Sequence, residues 1–436
     1  MKNNEPIHEL LLQNVRILDP LSNQDVTGDL YIADGRLRPP PRVLSSSCRV
    51  LNVPGWIVCP TLTDVHVHLR EPGHEAAETI ASGTQAAARG GFTRVVAMPN
   101  TSPSLDHPDV LRAMLAKAEN APCEVLASGC ISLGRLGRQP VDFEALKEAG
   151  VVAFTDDGST PASAELMRTA ACAAARLNIP IMDHAEDSTL PVKGVMHEGA
   201  AAVRASLPGI PSASEVNIVR RDIELADRTG CRMHIQHLSA RESIELIRDA
   251  QSRGLPVTAE ATPHHLALTD DDVDPNNPSF KMNPPLRSAE DRRALREAVV
   301  EGVVGILATD HAPHTAEAKR KGFLHAPFGI IGLETAVGVT YEILVESGML
   351  SPLDWVRRWT MNPNELIGRP VPSLTLGEPA DLLLINPNAN WTVRAEDFAS
   401  LSANTPFLGW TLSARPMLTI HRGRITSNQS GFPTPT

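Results

Sequence analysis

Eight short apolar β-type runs, alternating with Ala-, Leu- and Glu-rich stretches of helical period, predict an α/β chain built on a closed (β/α)8 TIM-type barrel. Short strands and turns occupy both chain ends, and each end is too small to fold alone. Residues 1–58 and 369–436 are therefore expected to pair into one small composite β-sandwich domain beside a barrel of residues 59–368.

In chain order, LLLQNVRIL and DLYIADGRL read as β segments, the second containing a glycine turn. The barrel runs follow as WIVCPTLTDVHVH, TRVVAMP, EVLASGCIS, VVAFTDD, IPIMDH, CRMHIQH, LPVTAEATPHH and VVGILATDH. Between them lie helix candidates, among them AAETIASGTQAAARG, HPDVLRAMLAKAE, SAELMRTAACAAARL and SASEVNIVRRDIELADRTG. Beyond residue 368 the chain returns to short strands in ADLLLINP, TLSARPMLTI and HRGRIT. A doubly wound open sheet is the alternative, but no glycine-rich dinucleotide fingerprint follows the first barrel strand.

Composition narrows the function. The 436 residues are 42% apolar and 21% charged, an ordinary globular balance. Forty Lys and Arg against 51 Asp and Glu leave a net charge of −11, which argues against a nucleic-acid or anionic-membrane partner. With nine Phe, five Trp and two Tyr, base-stacking platforms are not expected either. No apolar run approaches the roughly 20 residues needed to span a bilayer. Glu5, His8, Glu9 and Gln13 interrupt the N-terminal stretch, which therefore does not read as a signal peptide. The six cysteines are scattered without a CxxC pair, as in a reduced cytoplasmic protein, and Cys59 and Cys130 read as core.

The chemistry is concentrated where the β runs end. Strand one ends in Asp64-Val65-His66-Val67-His68, and residues two apart on a strand share a face, so His66 and His68 can reach one point. Strand four ends at Asp156-Asp157-Gly158, strand five at His184, strand six at His237 and strand eight at Asp310-His311. Active sites of this barrel sit at that C-terminal rim. Singly, each residue has an ordinary reading: a satisfied histidine, a turn aspartate, a helix cap. Jointly they form a set of imidazoles and carboxylates that suits Zn²⁺ or a similar divalent ion, and burying it without a metal would be costly.

At these same positions the chain resembles a known family. HVHLREPG (66–73), MPNTSP (98–103), AFTDDG (153–158), DHAEDS (183–188), HIQHLS (234–239), KMNPPLR (281–287) and ATDHAPHTAEAK (308–319) are similar to the motifs of type I bacterial dihydroorotases of the amidohydrolase superfamily. The resemblance runs from about residue 10 to 425 and includes GEPADLLLINP and ANTPFLG of the flanking β domain. It implies that His66, His68 and Asp310 hold one zinc, that His184 and His237 hold a second, and that Asp157 and a hydroxide bridge the two. Related hydantoinases and allantoinases bridge with a carboxylated lysine, and GVVAFTDDG contains no lysine. The resemblance further implies a substrate pocket of His68, Arg70, Asn100, Asn283, His314 and backbone groups of Phe328 and Gly329. Arg70 would grip a substrate carboxylate with its planar fork. Asp310 would be both ligand and general acid/base for the reversible cyclisation of N-carbamoyl-L-aspartate to L-dihydroorotate, a step of pyrimidine biosynthesis. A homodimer and an association with aspartate transcarbamoylase are the partners it implies.

Other polar residues read more plainly. His264 and His265, at the end of strand seven, are expected to pack behind the ligands, and His234 to point away or lie deeper than His237. Lys319-Arg320-Lys321 reads as a solvated charge run, with 315–326 as a mobile lid the alternative. Thr61 and Thr63 replace the usual small and aliphatic residues before Asp64, and Asp183 is a carboxylate aimed at the helix layer, where it needs a partner. Two other functions compete: a cyclic amidase for uncharged rings, and a catalytically dead scaffold, which would be expected to lack metal ligands.

Overall fold

The computed structural model of the protein describes residues 6–191 and 193–430. The chain opens with β1 (Glu9–Asp19), β2 (Gln24–Ala33), β3 (Arg36–Arg38), β4 (Arg49–Asn52) and β5 (Ile57–Pro60). The barrel strands are β6 (Leu62–Val67), β7 (Phe92–Ala97), β8 (Glu124–Gly129), β9 (Ala153–Phe154), β10 (Ile181–Asp183), β11 (Met233–Ile235), β12 (Val257–Ala261) and β13 (Ile306–Leu307). They pair in sequence order, every pair parallel. Val67 bridges His311 in parallel, and His68 N–H donates to His311 O at 2.8 Å, which joins the last strand to the first. The sequence-predicted eight-stranded parallel barrel is therefore present. All six residues of β6 are buried, as expected for a parallel strand covered on both faces.

Helices α1 (Ile80–Gly90), α2 (Pro108–Lys117), α3 (Phe143–Glu148), α4 (Ala164–Leu177), α5 (Ala213–Thr229), α6 (Arg241–Ser252), α7 (Ala289–Glu301) and α8 (Pro352–Trp359) alternate with these strands. Helix α1 starts later than the pattern AAETIASG suggests. Thr79 and Ser82 form a capping box that starts it at Ile80, which leaves Glu78 free to turn inward toward His311. The barrel interior is filled by Val65, Val96, Leu126, Met182 and Ile306.

After the barrel come β14 (Leu382–Asn386), β15 (Arg415–His421) and β16 (Arg424–Asn428). One sheet runs in the order β16-β15-β14-β5-β1-β2-β3, with β4 also pairing β1. The two chain ends meet where β5 pairs antiparallel with β14, from Ile57–Ile385 to Pro60–Leu382. Leu12, Val15, Ile32, Leu384 and Ile420 form a separate hydrophobic core on this sheet.

One expected strand divides. WIVCPTLTDVHVH is apolar throughout, so nothing in it marks a break. In the structure β5 belongs to the composite sheet and β6 to the barrel, with Thr61 between them. The two unusual threonines are buried and satisfied: Thr93 Oγ1 donates to Thr61 Oγ1 at 2.6 Å, and Asn364 Nδ2 donates to Thr63 Oγ1 at 2.9 Å. Cys59 and Cys130 are fully buried. No helix among the described residues is long and apolar enough to cross a membrane.

Asp183 does face the helix layer, and its partner is Arg221 on α5. Arg221 Nη2 donates to Asp183 Oδ2 at 2.7 Å, and Thr160 Oγ1 donates to the same oxygen at 2.9 Å. Removing one partner of such a pair strands a charge with no exposure to solvent. Arg221→Met is expected to cost about 3 kcal/mol in chemical denaturation.

Candidate metal centre

The six ligands named from the sequence converge at the C-terminal mouth of the barrel. His66 Nε2 lies 3.3 Å from Asp157 Oδ1 and 3.4 Å from Asp310 Oδ1. His68 Nε2 lies 3.0 Å from Asp310 Oδ1 and 3.5 Å from Asp157 Oδ2. His184 Nδ1 lies 2.9 Å from His237 Nε2 and 3.7 Å from Asp157 Oδ1. Two groups have the spacing of an ion's ligands: His66, His68 and Asp157, and Asp157, His184 and His237. Asp157 is common to both. Asp156 turns the other way, its Oδ1 accepting from the backbone N–H groups of Ile131 and Ser132 at 2.8 and 3.1 Å.

Outer partners set the direction in which each ring offers its lone pair. A carboxylate can only accept, so the 2.6 Å contact of His66 Nδ1 with Glu260 Oε1 puts the hydrogen on Nδ1 and turns Nε2 inward. The 2.9 Å contact of His68 Nδ1 with Asn100 Oδ1 does the same for His68. For His184, Glu186 Oε2 sits 3.3 Å from Nε2, leaving Nδ1 to the cluster. Glu260 also accepts from His237 N–H at 3.2 Å and from His234 Nε2 at 3.0 Å. Sequence reading missed Glu260 and Glu186. The signal for Glu260 was a charged residue inside the apolar run LPVTAEATPHH, where a lone carboxylate must be paired.

The electrostatics call for a cation. Burial opposes charge on Asp157, but His66, His68 and His184 hold it well below the usual carboxylate range. Burial also opposes charge on His66, yet Glu260, Asp310 and Asp157 raise it well above the ordinary imidazole value. Burial and the neighbouring rings of His184 and His66 push His237 far down, so that ring stays neutral. Buried imidazole lone pairs facing shared carboxylates fit a divalent ion, and the set of histidine nitrogens with carboxylate oxygens is one that zinc accepts. Three site residues adopt left-handed backbone, Arg70 at φ 61°, His237 at φ 33° and Asp310 at φ 48°, a conformation that clusters at functional sites.

Beside the candidate ligands is a cavity of about 180 Å³. Every sequence-predicted site residue except the fully buried His66 lines it. Arg70 Nε donates to Pro313 O at 3.1 Å, which holds the guanidinium at the wall beside His314. Burial brings Arg70 down to about 10, leaving it a cation. Burial, then Arg70 and Lys319, lower His314 to about 3, so it is neutral. Asn100 donates to Asp157 Oδ2 at 3.3 Å as well as holding His68, and Asn283 Nδ2 donates to Glu186 Oε2 at 2.8 Å. Phe328 O accepts from His314 Nε2 at 2.6 Å, and Gly329 N–H donates to Lys281 O at 2.9 Å. Gly329 has φ 124°, and a Cβ there would lie 2.7 Å from Ala312 Cβ.

The more plainly read residues resolve as follows. His234 is tied to Glu260, and His265 Nε2 donates to Pro284 O at 2.9 Å. His264 and His265 lie in a helical turn, Pro263–Ala267, outside both ligand groups. The solvated charge run needs correction. Arg320 and Lys321 are exposed, but Lys319 is only 6% exposed and its Nζ reaches three backbone carbonyls. A short helix, Ala316–Lys319, turns it inward, which a run of like charges does not reveal.

The chain is similar to known proteins over most of its length. The dihydro-orotase-like family profile matches residues 55–243. A dihydroorotase from Pelotomaculum thermopropionicum is 44% identical over 418 residues, covering 96% of this chain and 98% of its own. A dihydroorotase from Solibacter usitatus is 42% identical over 428 residues, covering 98% of this chain and all of its own. Among solved structures, an L-hydantoinase (dihydropyrimidinase) from Arthrobacter aurescens superposes with a TM-score of 0.85 at 26% identity, covering 97% of each chain.

The rim of the cavity is held from outside the barrel by Asn404, another residue that sequence reading passed over. It accepts from His314 N–H at 3.0 Å and donates to Ala312 O and Gly329 O at 3.2 and 3.0 Å. Asn404→Ala leaves these buried groups unpaired and is expected to cost about 2 kcal/mol, read by thermal denaturation.

Proposed function

The chain belongs to the dihydroorotase family, and from that membership we propose that it closes N-carbamoyl-L-aspartate to L-dihydroorotate and water, and reopens the ring. The observation that carries this reading is the pair of ligand groups sharing Asp157, set in one cavity with the Arg70 guanidinium. Arg70 calls for an anionic substrate, in spite of the chain's net charge of −11. The cavity lining contains no lysine, and Asp157 occupies the place between the two groups. That favours a carboxylate-bridged dihydroorotase over an amidase bridged by a carboxylated lysine.

His66, His68 and Asp310 would hold one zinc, and His184 and His237 the second, with Asp157 shared. When bound, the ions would polarise the ring carbonyl and lower the pKa of water toward about 7. Arg70 holds the substrate carboxylate, and Asn100, Asn283 and His314 bound the ring. His68 touches both ligand group and cavity, so it orients the reacting end of the substrate. In ring opening, Asp310 accepts the proton of the attacking water at a carboxylate oxygen and delivers it to the departing amide nitrogen. In ring closure the same oxygen takes that nitrogen's proton and returns it with the expelled water. All six cysteines are free thiols, which suits a cytoplasmic enzyme.

Purified protein with measured zinc content, assayed for dihydroorotate hydrolysis, tests the proposal: a zinc-replete protein without activity would sink it. Asp310→Asn is expected to lower kcat by about 10²-fold or more. Arg70→Ala should act mainly on KM, by about 10²-fold, through loss of a charged bidentate contact. Comparable kcat in Asp310→Asn and the parent would refute the proton-transfer role. Glu260→Gln can no longer accept from both His66 and His234. It is expected to weaken metal binding about 10- to 100-fold in chelator competition.

A further inference from the structure

Neither the ligand set nor the substrate contacts use Lys281 and Lys319, yet both are buried at the rim. Lys319 belongs to segment 315–326, and its Nζ donates outward to Pro278 O at 3.0 Å, Pro327 O at 2.9 Å and Lys281 O at 3.3 Å. Three ammonium hydrogens meet three carbonyls. Lys281 belongs to the facing loop, and its Nζ donates back to Leu324 O at 3.1 Å while lying 4.6 Å over the Phe328 ring. Each lysine thus fastens the other's segment. Among the described residues the contacts of both ammonium groups are to backbone carbonyls and an aromatic ring and none is an ion pair with a carboxylate, although buried lysines are almost always paired. Burial, then Lys281 and Arg70, draw the Lys319 ammonium down to about 7, a shift that an anion across the wall would reverse.

We propose that Lys319 and Lys281 form a reciprocal clasp that holds segment 315–326 at the cavity and makes the site select a ring bearing a carboxylate over the same ring without one. The clasp lies one residue behind the lining: Pro327 adjoins Phe328, and Lys281 O holds Gly329 N–H at 2.9 Å. His314 lines both the substrate cavity and the outer cavity that Lys319 faces. Two lysines without carboxylate partners therefore back the wall on which Arg70 stands. Arg70 grips the carboxylate directly. The lysines act through position and field, so they are positioning residues that set selectivity.

This inference rests on the dihydroorotase reading, and equilibrium binding separates the two. Orotate carries the ring carboxylate and uracil lacks it. Their affinities are measured by calorimetry on the zinc-loaded full chain, for the parent, Lys319→Met and Lys281→Met, with thermal denaturation of each. The expected result is an orotate affinity about tenfold lower in either folded variant, the effect of one charge behind the wall at intermediate dielectric. Uracil affinity should change less than about twofold, so the ratio of the two falls. An unchanged ratio, whether neither ligand is affected or both weaken alike, overturns the clasp as a selectivity device. If Lys319→Met fails to fold, Lys281→Met reads the same ratio. Absence of ring-opening activity in the parent would refute the dihydroorotase reading while leaving the binding ratio measurable.

Discussion

The contact between His66 Nδ1 and Glu260 Oε1, at 2.6 Å, is the one on which the centre depends. Both groups have no exposure to solvent. An imidazole in that position can offer a lone pair to the cluster only if its other nitrogen is committed elsewhere. Glu260 supplies that commitment. It also takes the backbone N–H of His237, whose φ of 33° needs support, and it is itself held by His234. One carboxylate on β12 thus reaches His66 on β6 and His237 beyond β11. Burying so many polar groups would otherwise be prohibitive, because each unpaired one costs roughly 2–7 kcal/mol.

The same logic of support from behind extends outward. Asp64 accepts from Thr309 N–H at 3.2 Å and Thr309 Oγ1 at 2.5 Å, tying the first barrel strand to the start of the Asp310 turn. Burial raises Asp64 to about 7, and its hydrogen bonds with Thr309 and His66 work against that rise. His311 is held by Glu78 at 3.3 Å, and Glu78 in turn accepts from Leu401 N–H at 3.1 Å. Leu401 and Asn404 come from the C-terminal part of the chain. The flanking polypeptide is therefore part of the architecture of the site as well as a partner for the N-terminal strands.

The functional reading is a division of labour between two sides of one cavity. On one side, carboxylates and imidazoles create a place for positive charge. On the other, Arg70 and the two lysines create a place for negative charge. A substrate with an amide to open at one end and a carboxylate at the other is oriented by that asymmetry alone.

Much of this was legible in the sequence because it depends on local period and on strand ends. Near-continuous apolar runs separated by amphipathic helices dictate a parallel sheet, and a parallel barrel presents whatever follows its strands at one rim. His66, His68, Asp157, His184, His237 and Asp310 could be named as candidates at that rim for that reason. Asp183 could be said to need a partner, though Arg221 could not be named, since it lies 38 residues away on a helix. What remained hidden depends on contacts between distant segments. The division of WIVCPTLTDVHVH between two sheets follows from which strands lie beside it, since nothing in its own residues changes at Thr61. Glu260, Asn404 and Lys319 look like an isolated strand charge, a loop residue and part of a charge run. Only tertiary structure puts Glu260 behind two ligands, Asn404 under the rim and Lys319 among three carbonyls, because a buried polar group takes its meaning from the atoms that surround it.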